Sequence, residues 1–229
     1  MSIVLQVKPD TDAEDFWALR LSLRDPIPEI FESATLLSQA ADAFLIGDSE
    51  TAGERIRVAN MPEIREWIES LWGSGKHNPD QALYHRKRAI TPEPPKLDLT
   101  LRHPARMPNA AEKFTILERD GWNCRYCGIP LIETKARNVL RSAMPDALVW
   151  GNSNREKHAA FQCMTPEYDH VVPHCYGGTS SIENTVICCG PCNCGKFDRL
   201  LEHHGLLDPR LRVASRTTWD GLTRLLAQP

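Results

Sequence analysis

No stretch of this 229-residue chain stays apolar for the ~20 residues that a membrane-crossing helix requires, so no membrane partner is expected. The start, Met1-Ser2-Ile3-Val4-Leu5-Gln6-Val7-Lys8, lacks the basic opening and long apolar core of a secretory signal, and the expected compartment is cytoplasmic. Disulfides do not persist there, so the eight cysteines are expected to be metal ligands or free thiols. A strong charge of either sign is missing too. The net −3 argues by itself against a tight nucleic-acid binder. The two ends differ, however: residues 1–80 carry −8 and residues 81–229 carry +5, and the basic part is the one a phosphate backbone favours. With 41% apolar and 25% charged residues, the chain is an ordinary globular one able to bury a core, as one large domain or two small ones.

Apolar periodicity sketches an α-helical N-terminal domain over residues 1–75. An amphipathic helix is expected over residues 12–24, with Phe16, Trp17, Leu19 and Leu23 on it. A second runs over residues 29–45 and stops at Gly47. Ser49 opens a third, carrying Ala52 and Ile56, and Pro62 a fourth, carrying Ile64, Trp67, Ile68 and Leu71. This unit is acidic outside, and reads either as a scaffold or as a docking module for a protein partner.

Residues 76–109 change character. Six prolines interrupt the basic residues Arg86, Lys87, Arg88, Arg102, His103 and Arg106, and proline, lacking an N–H, prevents a helix from running through. The segment is either a solvated linker or a cationic arm that tracks phosphates. Asn109 then caps a helix closing at Gly121. Residues 129–167 form an insertion, with helices expected over 134–144 and 154–161. It reads as structural cover first, although basic Arg137, Arg141, Arg155 and Lys157 near Trp150 also suit substrate contact. A helix is expected to run past Lys196 to His204, with Gly205 as its stop, and a tail helix over residues 218–226.

Two Cys-x-x-Cys pairs, Cys124/Cys127 and Cys189/Cys192, have the spacing that lets two thiolates of one tight turn reach a tetrahedral ion at ~2.3 Å. Four sulfurs close the shell, so a structural zinc is expected. Such an ion contributes on the order of 10 kcal/mol to folding. Cys188 is a rival ligand, but it lies in phase with Val186 and is expected in the core. Cys163, Cys175 and Cys194 have no partner at metal spacing.

One constellation organises the rest. It comprises Tyr168-Asp169-His170-Val171-Val172-Pro173, Gly177-Gly178, Asn184 opening Thr185-Val186-Ile187, and Cys189-Gly190-Pro191-Cys192-Asn193-Cys194-Gly195-Lys196. It reads as strand, glycine-bearing loop, strand, helix. Together with Arg119-Asp120-Gly121-Trp122-Asn123-Cys124-Arg125-Tyr126-Cys127-Gly128, it resembles the cysteine-bearing HNH endonucleases, whose core is the ββα-metal fold. Residues 1–110 carry no part of that resemblance.

The resemblance implies hydrolysis of DNA phosphodiesters, with RNA left open. Such chemistry needs an activated water, an in-line leaving oxygen and positive charge on the phosphate. His170 matches the general base, and a neutral imidazole can take a proton near pH 7. Asn184 matches the residue that fixes the loop through backbone hydrogen bonds. Asp169 and Asn193 match the pair that holds one divalent ion, and Asn at the last position favours magnesium or manganese. Adjacent Asp169 and His170 need an irregular turn at the strand end to serve both roles. Lys196 is a candidate for a phosphate oxygen, His174 for the scissile region or for a structural role, and Arg86, Lys87 and Arg88 for the nucleic-acid backbone.

The expected fold class is therefore α+β. The helical domain (1–75) and basic connector (76–109) lead into an HNH domain (110–205) with a zinc knuckle, followed by a helical tail (206–229). The expected function is a metal-dependent endonuclease of the kind that serves antiviral defence, restriction or mobile elements. The second expectation is a zinc-stapled nucleic-acid-binding or assembly subunit of a larger complex, silent or awakened by a partner.

Overall fold

Helix α1 (Pro28–Leu45) starts on a proline whose fixed φ suits the first helical turn, and buries Ile30, Ala34, Leu37 and Ala41 along one stripe. Helix α2 (Ser49–Val58) starts on Asp48, whose carboxylate accepts the Thr51 N–H at 3.0 Å. The two pack together through small buried residues such as Ala40, Ala52 and Ala59, and the Ser33 hydroxyl donates to the Ala59 carbonyl at 2.9 Å. Helix α3 (Pro62–Trp72) buries Ile64, Trp67, Ile68 and Leu71. All three coincide with the periodicity of the sequence. The computed structural model describes residues 19–72, 84 and 87–227, so residues 12–18 of the first expected helix, and Arg86, lie outside the described residues.

The fold is α+β, with helices around a single two-stranded sheet among the described residues. Helix α4 (Ala110–Asp120) opens with reciprocal bonds between Asn109 and Glu112, at 2.7 and 3.0 Å. Helices α5 (Thr134–Ala143) and α6 (Ala159–Cys163) lie in the insertion. Strand β1 (Pro166–His170) then pairs antiparallel with β2 (Thr185–Cys189), Asp169 opposite Val186 and His170 opposite Thr185. Helix α7 (Gly190–Lys196) follows β2 at once, and α8 (Leu201–His204) comes after a turn.

Three contacts make this one body. Helix α3 packs on α6 and α7, where glycines leave room: a Cβ on Gly195 would lie 2.8 Å from Leu23 Cδ1, and one on Gly190 3.2 Å from the Trp72 ring. The insertion is pinned to α2 by buried His158, whose Nε2 donates to the Ile56 carbonyl at 2.7 Å, and by the Ala159 N–H on Asn60 Oδ1 at 2.7 Å. The connector lies along the loop between the strands. There Leu97 N–H donates to Cys175 O at 2.8 Å, Lys96 pairs with Asp198, and the Tyr176 hydroxyl donates to Glu93 at 3.2 Å. A single cluster of buried residues runs from Leu23 to Leu225.

Four local expectations are corrected. Residues 19–24 form no helix: Arg20 pairs with the segment after α8, its N–H donating to Gly205 O at 3.0 Å and its carbonyl accepting from Leu207 at 2.9 Å, and residues 21–24 bend away from that bridge. Residues 154–161 divide into a 3-10 turn (Asn154–Glu156) and α6, because Lys157 leaves the helix to bridge Trp150. The helix expected to run past Lys196 breaks at Phe197, at φ +55°, where Asp198 is held by Lys96 and by the Cys175 thiol. In the tail, Gly221 and Leu222 both take positive φ, and the Asp220 carboxylate caps the N–H groups of Leu222 and Arg224. Only Thr223–Leu226 forms a 3-10 turn.

Candidate functional site

Arg119 and Asp120 build the platform. At the end of α4, the buried Asp120 carboxylate accepts the Ile187 N–H at 3.0 Å, and the Arg119 guanidinium donates to the carbonyls of Ile182 (2.6 Å) and Thr185 (2.7 Å). The start and the middle of β2 are thereby fixed. Gly121, at φ +71°, then turns the chain into the first cysteine pair.

Cys124 and Cys127 sit on a turn closed by the Gly128 N–H on Cys124 O and the Cys124 N–H on Ile129 O, each 2.9 Å. Cys189 ends β2, and Cys192 lies one turn into α7, with its N–H on the Cys189 sulfur at 3.4 Å. All four Sγ atoms fall within 4.8 Å of one another, and Cys127 and Cys189 are 3.8 Å apart. Tetrahedral zinc thiolates, with Zn–S of ~2.3 Å, require sulfurs ~3.8 Å apart. The cluster can therefore hold a metal ion such as zinc. Burial opposes charge on Cys124, but hydrogen bonds from the other three thiols outweigh it and hold that thiol well below its usual value; burial pushes Cys189 well up. Cys188 is buried outside this group.

Asp169 and Lys196 form a buried pair on the α7 side of the sheet. Asp169 is 5% exposed and Lys196 1%, with Nζ at 3.2 and 3.1 Å from the two carboxylate oxygens. Lys196 also donates to the His170 carbonyl at 2.8 Å, and the Tyr126 hydroxyl to Asp169 Oδ2 at 2.6 Å. Burial, with Asp169 beside it, pushes the Tyr126 phenol well above its ordinary value, so it stays a donor. Lys196 thus faces a carboxylate in the interior rather than solvent.

His170 stands next in the strand, and alternation turns its side chain to the other face. Its Nε2 lies 2.8 Å from Ser180 Oγ, and Ser180 gives its one proton to the Ala105 carbonyl at 2.7 Å. Ser180 therefore accepts from His170, which fixes the Nε2–H tautomer and leaves Nδ1 as the free acceptor. Burial lowers the pKa of His170 despite the opposing pull of Asp169. The imidazole is consequently neutral at neutral pH.

Asn184 holds the loop that follows. Its Oδ1 accepts Val172 N–H at 2.9 Å, and its Nδ2 donates to the carbonyls of Val172 (3.0 Å) and Thr179 (2.8 Å). Gly178 closes that loop so tightly that a Cβ there would lie 1.8 Å from Val172 O.

The other expected residues are dispersed. Asn193 is half-buried on α7, and its side-chain amide has no hydrogen-bond partner among the described residues. The His174 ring is 6.2 Å from that of His170, and its Nε2 donates to His103 O at 2.6 Å. Lys87 pairs with Glu93 at 2.6 Å within the connector, and the Arg88 backbone N–H ties the connector to His203 O of α8 at 2.8 Å. Sequence reasoning missed Tyr126, Ser180 and the Ala105 carbonyl. Tyr126 had a signal, since a phenol buried between two ligand cysteines needs an acceptor; the other two had none.

Among the described residues, no helix is long and apolar enough to cross a membrane. No protein-family model, no curated protein and no solved structure matches this chain.

Proposed function

We propose that this protein is a metal-dependent endonuclease of the HNH kind that hydrolyses DNA phosphodiesters, with a structural zinc on Cys124, Cys127, Cys189 and Cys192. The observation that carries the reading is the tautomer of His170. Its Nε2–H is committed to Ser180, and its neutral Nδ1 is free to act as a base. In the proposed reaction Nδ1 takes a proton from water, the water oxygen attacks phosphorus, the bond to the 3′ oxygen breaks, and that oxygen takes a proton from solvent, leaving 5′-phosphate and 3′-hydroxyl ends. Asn184 keeps the loop after His170 in one geometry, which supports pre-organisation of the base.

Asp169 and Asn193 are the residues that would hold the divalent ion. A carboxylate and an amide oxygen suit a hard cation such as magnesium or manganese. An ion there would supply positive charge for the phosphate and the leaving oxygen, and because Asp169 and His170 point to opposite faces of β1, a substrate would have to reach both around the strand end. Asp169 already carries Lys196 at 3.1 Å and the Tyr126 hydroxyl at 2.6 Å, so an ion would have to share that carboxylate with both. Cleavage of supercoiled plasmid tests this assignment. Activity is expected with magnesium or manganese, to vanish with EDTA, and to fall at least ~100-fold in Asn193→Ala with zinc retained; an unaltered rate in that variant removes Asn193 from the ion site.

One observation favours a second reading, a subunit whose cutting waits for a partner. The connector is fastened over the histidines, Ala105 to Ser180 and His103 to His174. Zinc-loaded protein that cuts only after a partner is added would support it.

A further inference from the structure

A cleft of about 580 Å³ opens beside α7, away from His170, within the ~300–1,000 Å³ usual for small-molecule sites. Glu167, which lines it, shares the Asp169 face of β1, opposite His170. Trp150 stands at its edge on a rigid turn. Its backbone bridges Lys157, the His158 N–H donates to Val149 O at 2.9 Å, and a Cβ on Gly151 would come within 2.4 Å of Glu156. Two cations lie against the indole: the Arg137 guanidinium 4.2 Å from the ring centroid and the Lys157 ammonium 5.6 Å from it. Trp72 and Phe197 add apolar wall, and Phe197 is 69% exposed, an unusual cost for an aromatic side chain with no cover.

The lining also holds an unused donor. Gln162 is 3% exposed, and Arg65 donates to its Oε1, which fixes the amide orientation; its Nε2 is left buried with no hydrogen-bond partner. Buried polar groups are rarely left so. Across the cleft, burial raises the pKa of Glu167, against the opposing pull of Lys113. Aromatic wall, a donor, a carboxyl and two cations together match a flat heterocycle with hydrogen-bonding edges and an attached phosphate.

We propose that this cleft binds a single unpaired nucleotide, its base against the aromatic wall and within reach of Gln162 and Glu167, its phosphate on Arg137 and Lys157. The nucleotide is either free or part of a single strand. The site does not involve His170, and the inference stands apart from the cleavage reading.

Isothermal titration of the full zinc-loaded chain, without added divalent ion, tests it with AMP, a short single-stranded oligonucleotide, ribose 5-phosphate and inorganic phosphate. The first two are expected to bind and the last two not. Trp150→Ala and Lys157→Glu should each weaken binding at least ~10-fold, the scale of one base stack, with Lys157→Glu retaining the wild-type unfolding curve. Equal affinity for AMP and the oligonucleotide identifies a free nucleotide as the ligand, and a much tighter oligonucleotide identifies a strand. No nucleotide binding, equal competition by ribose 5-phosphate, or unchanged binding by Lys157→Glu overturns the proposal. Because the readout is binding, each of these results leaves the cleavage reading untouched.

Discussion

Lys196 and Asp169 share a proton-rich corner from which water is nearly excluded, and each is tolerable only because the other is there. Removing one partner of a buried pair costs about 3–5 kcal/mol, since the survivor is left charged without compensation. Lys196→Met is therefore expected to lower unfolding free energy in urea by about 3 kcal/mol or more. Adding Asp169→Asn should restore part of the loss; a single-variant loss below ~1 kcal/mol would contradict the pairing. The sequence order located Asp169, His170 and Asn184 correctly relative to the hairpin, because strand, glycine loop and strand leave little choice of register. It offered Lys196 as a contact for a phosphate oxygen, whereas the structure buries that side chain against Asp169. Lys196 lies four residues after Cys192, hence on the same inward face of α7, and that spacing was readable. Ser180 was not, because its partners are a histidine across the loop and a carbonyl of the connector, and no local pattern encodes either.

At the scale of elements, the two cysteine turns join three pieces: the turn after α4, the end of β2 and the start of α7. Cys127→Ser is expected to lower bound zinc below one equivalent and to reduce the melting temperature, as measured by metal analysis and by thermal unfolding with and without chelator. A stable variant carrying a full equivalent would refute the four-sulfur assignment. The pair spacing was legible because two cysteines of one tight turn can meet two of another at a single point, and α1 to α4 were legible because long amphipathic periods and a capping box are local signals. The failures all fall on short segments. Residues 19–24 gave way to pairing with Leu206, residues 154–161 to the Trp150–Lys157 bridge, and residues 218–226 to two consecutive positive-φ residues against Trp122. In each case a tertiary contact outweighed a weak helical preference.

The whole molecule is tied together by buried neutral groups that cannot be read from spacing. His158 joins the insertion to α2, and burial brings its pKa down to about 4 from 6.5. It is neutral in the fold but takes a proton in the unfolded chain once the pH drops below about 6.5. Its contribution is therefore complete above that pH and is lost progressively as the pH falls toward 4. With zinc in excess, the melting temperature should be flat above pH 7 and fall between pH 6.5 and 5, where buried His203 and His204, brought down to about 4 and about 3, add to the loss, and His158→Gln, which keeps a donor without titrating, should make that fall shallower. An identical slope in the variant would remove His158 as a cause.

In the proposed reaction the neutral His170, held by Ser180, activates water at a phosphodiester. The most direct measurement compares nicking of supercoiled plasmid by wild type and by His170→Ala, both zinc-loaded and equally folded, in magnesium or manganese. Wild type is expected to convert the plasmid to open circles, and the variant to do so at least ~100-fold more slowly. Equal rates in the two proteins would contradict that role for His170.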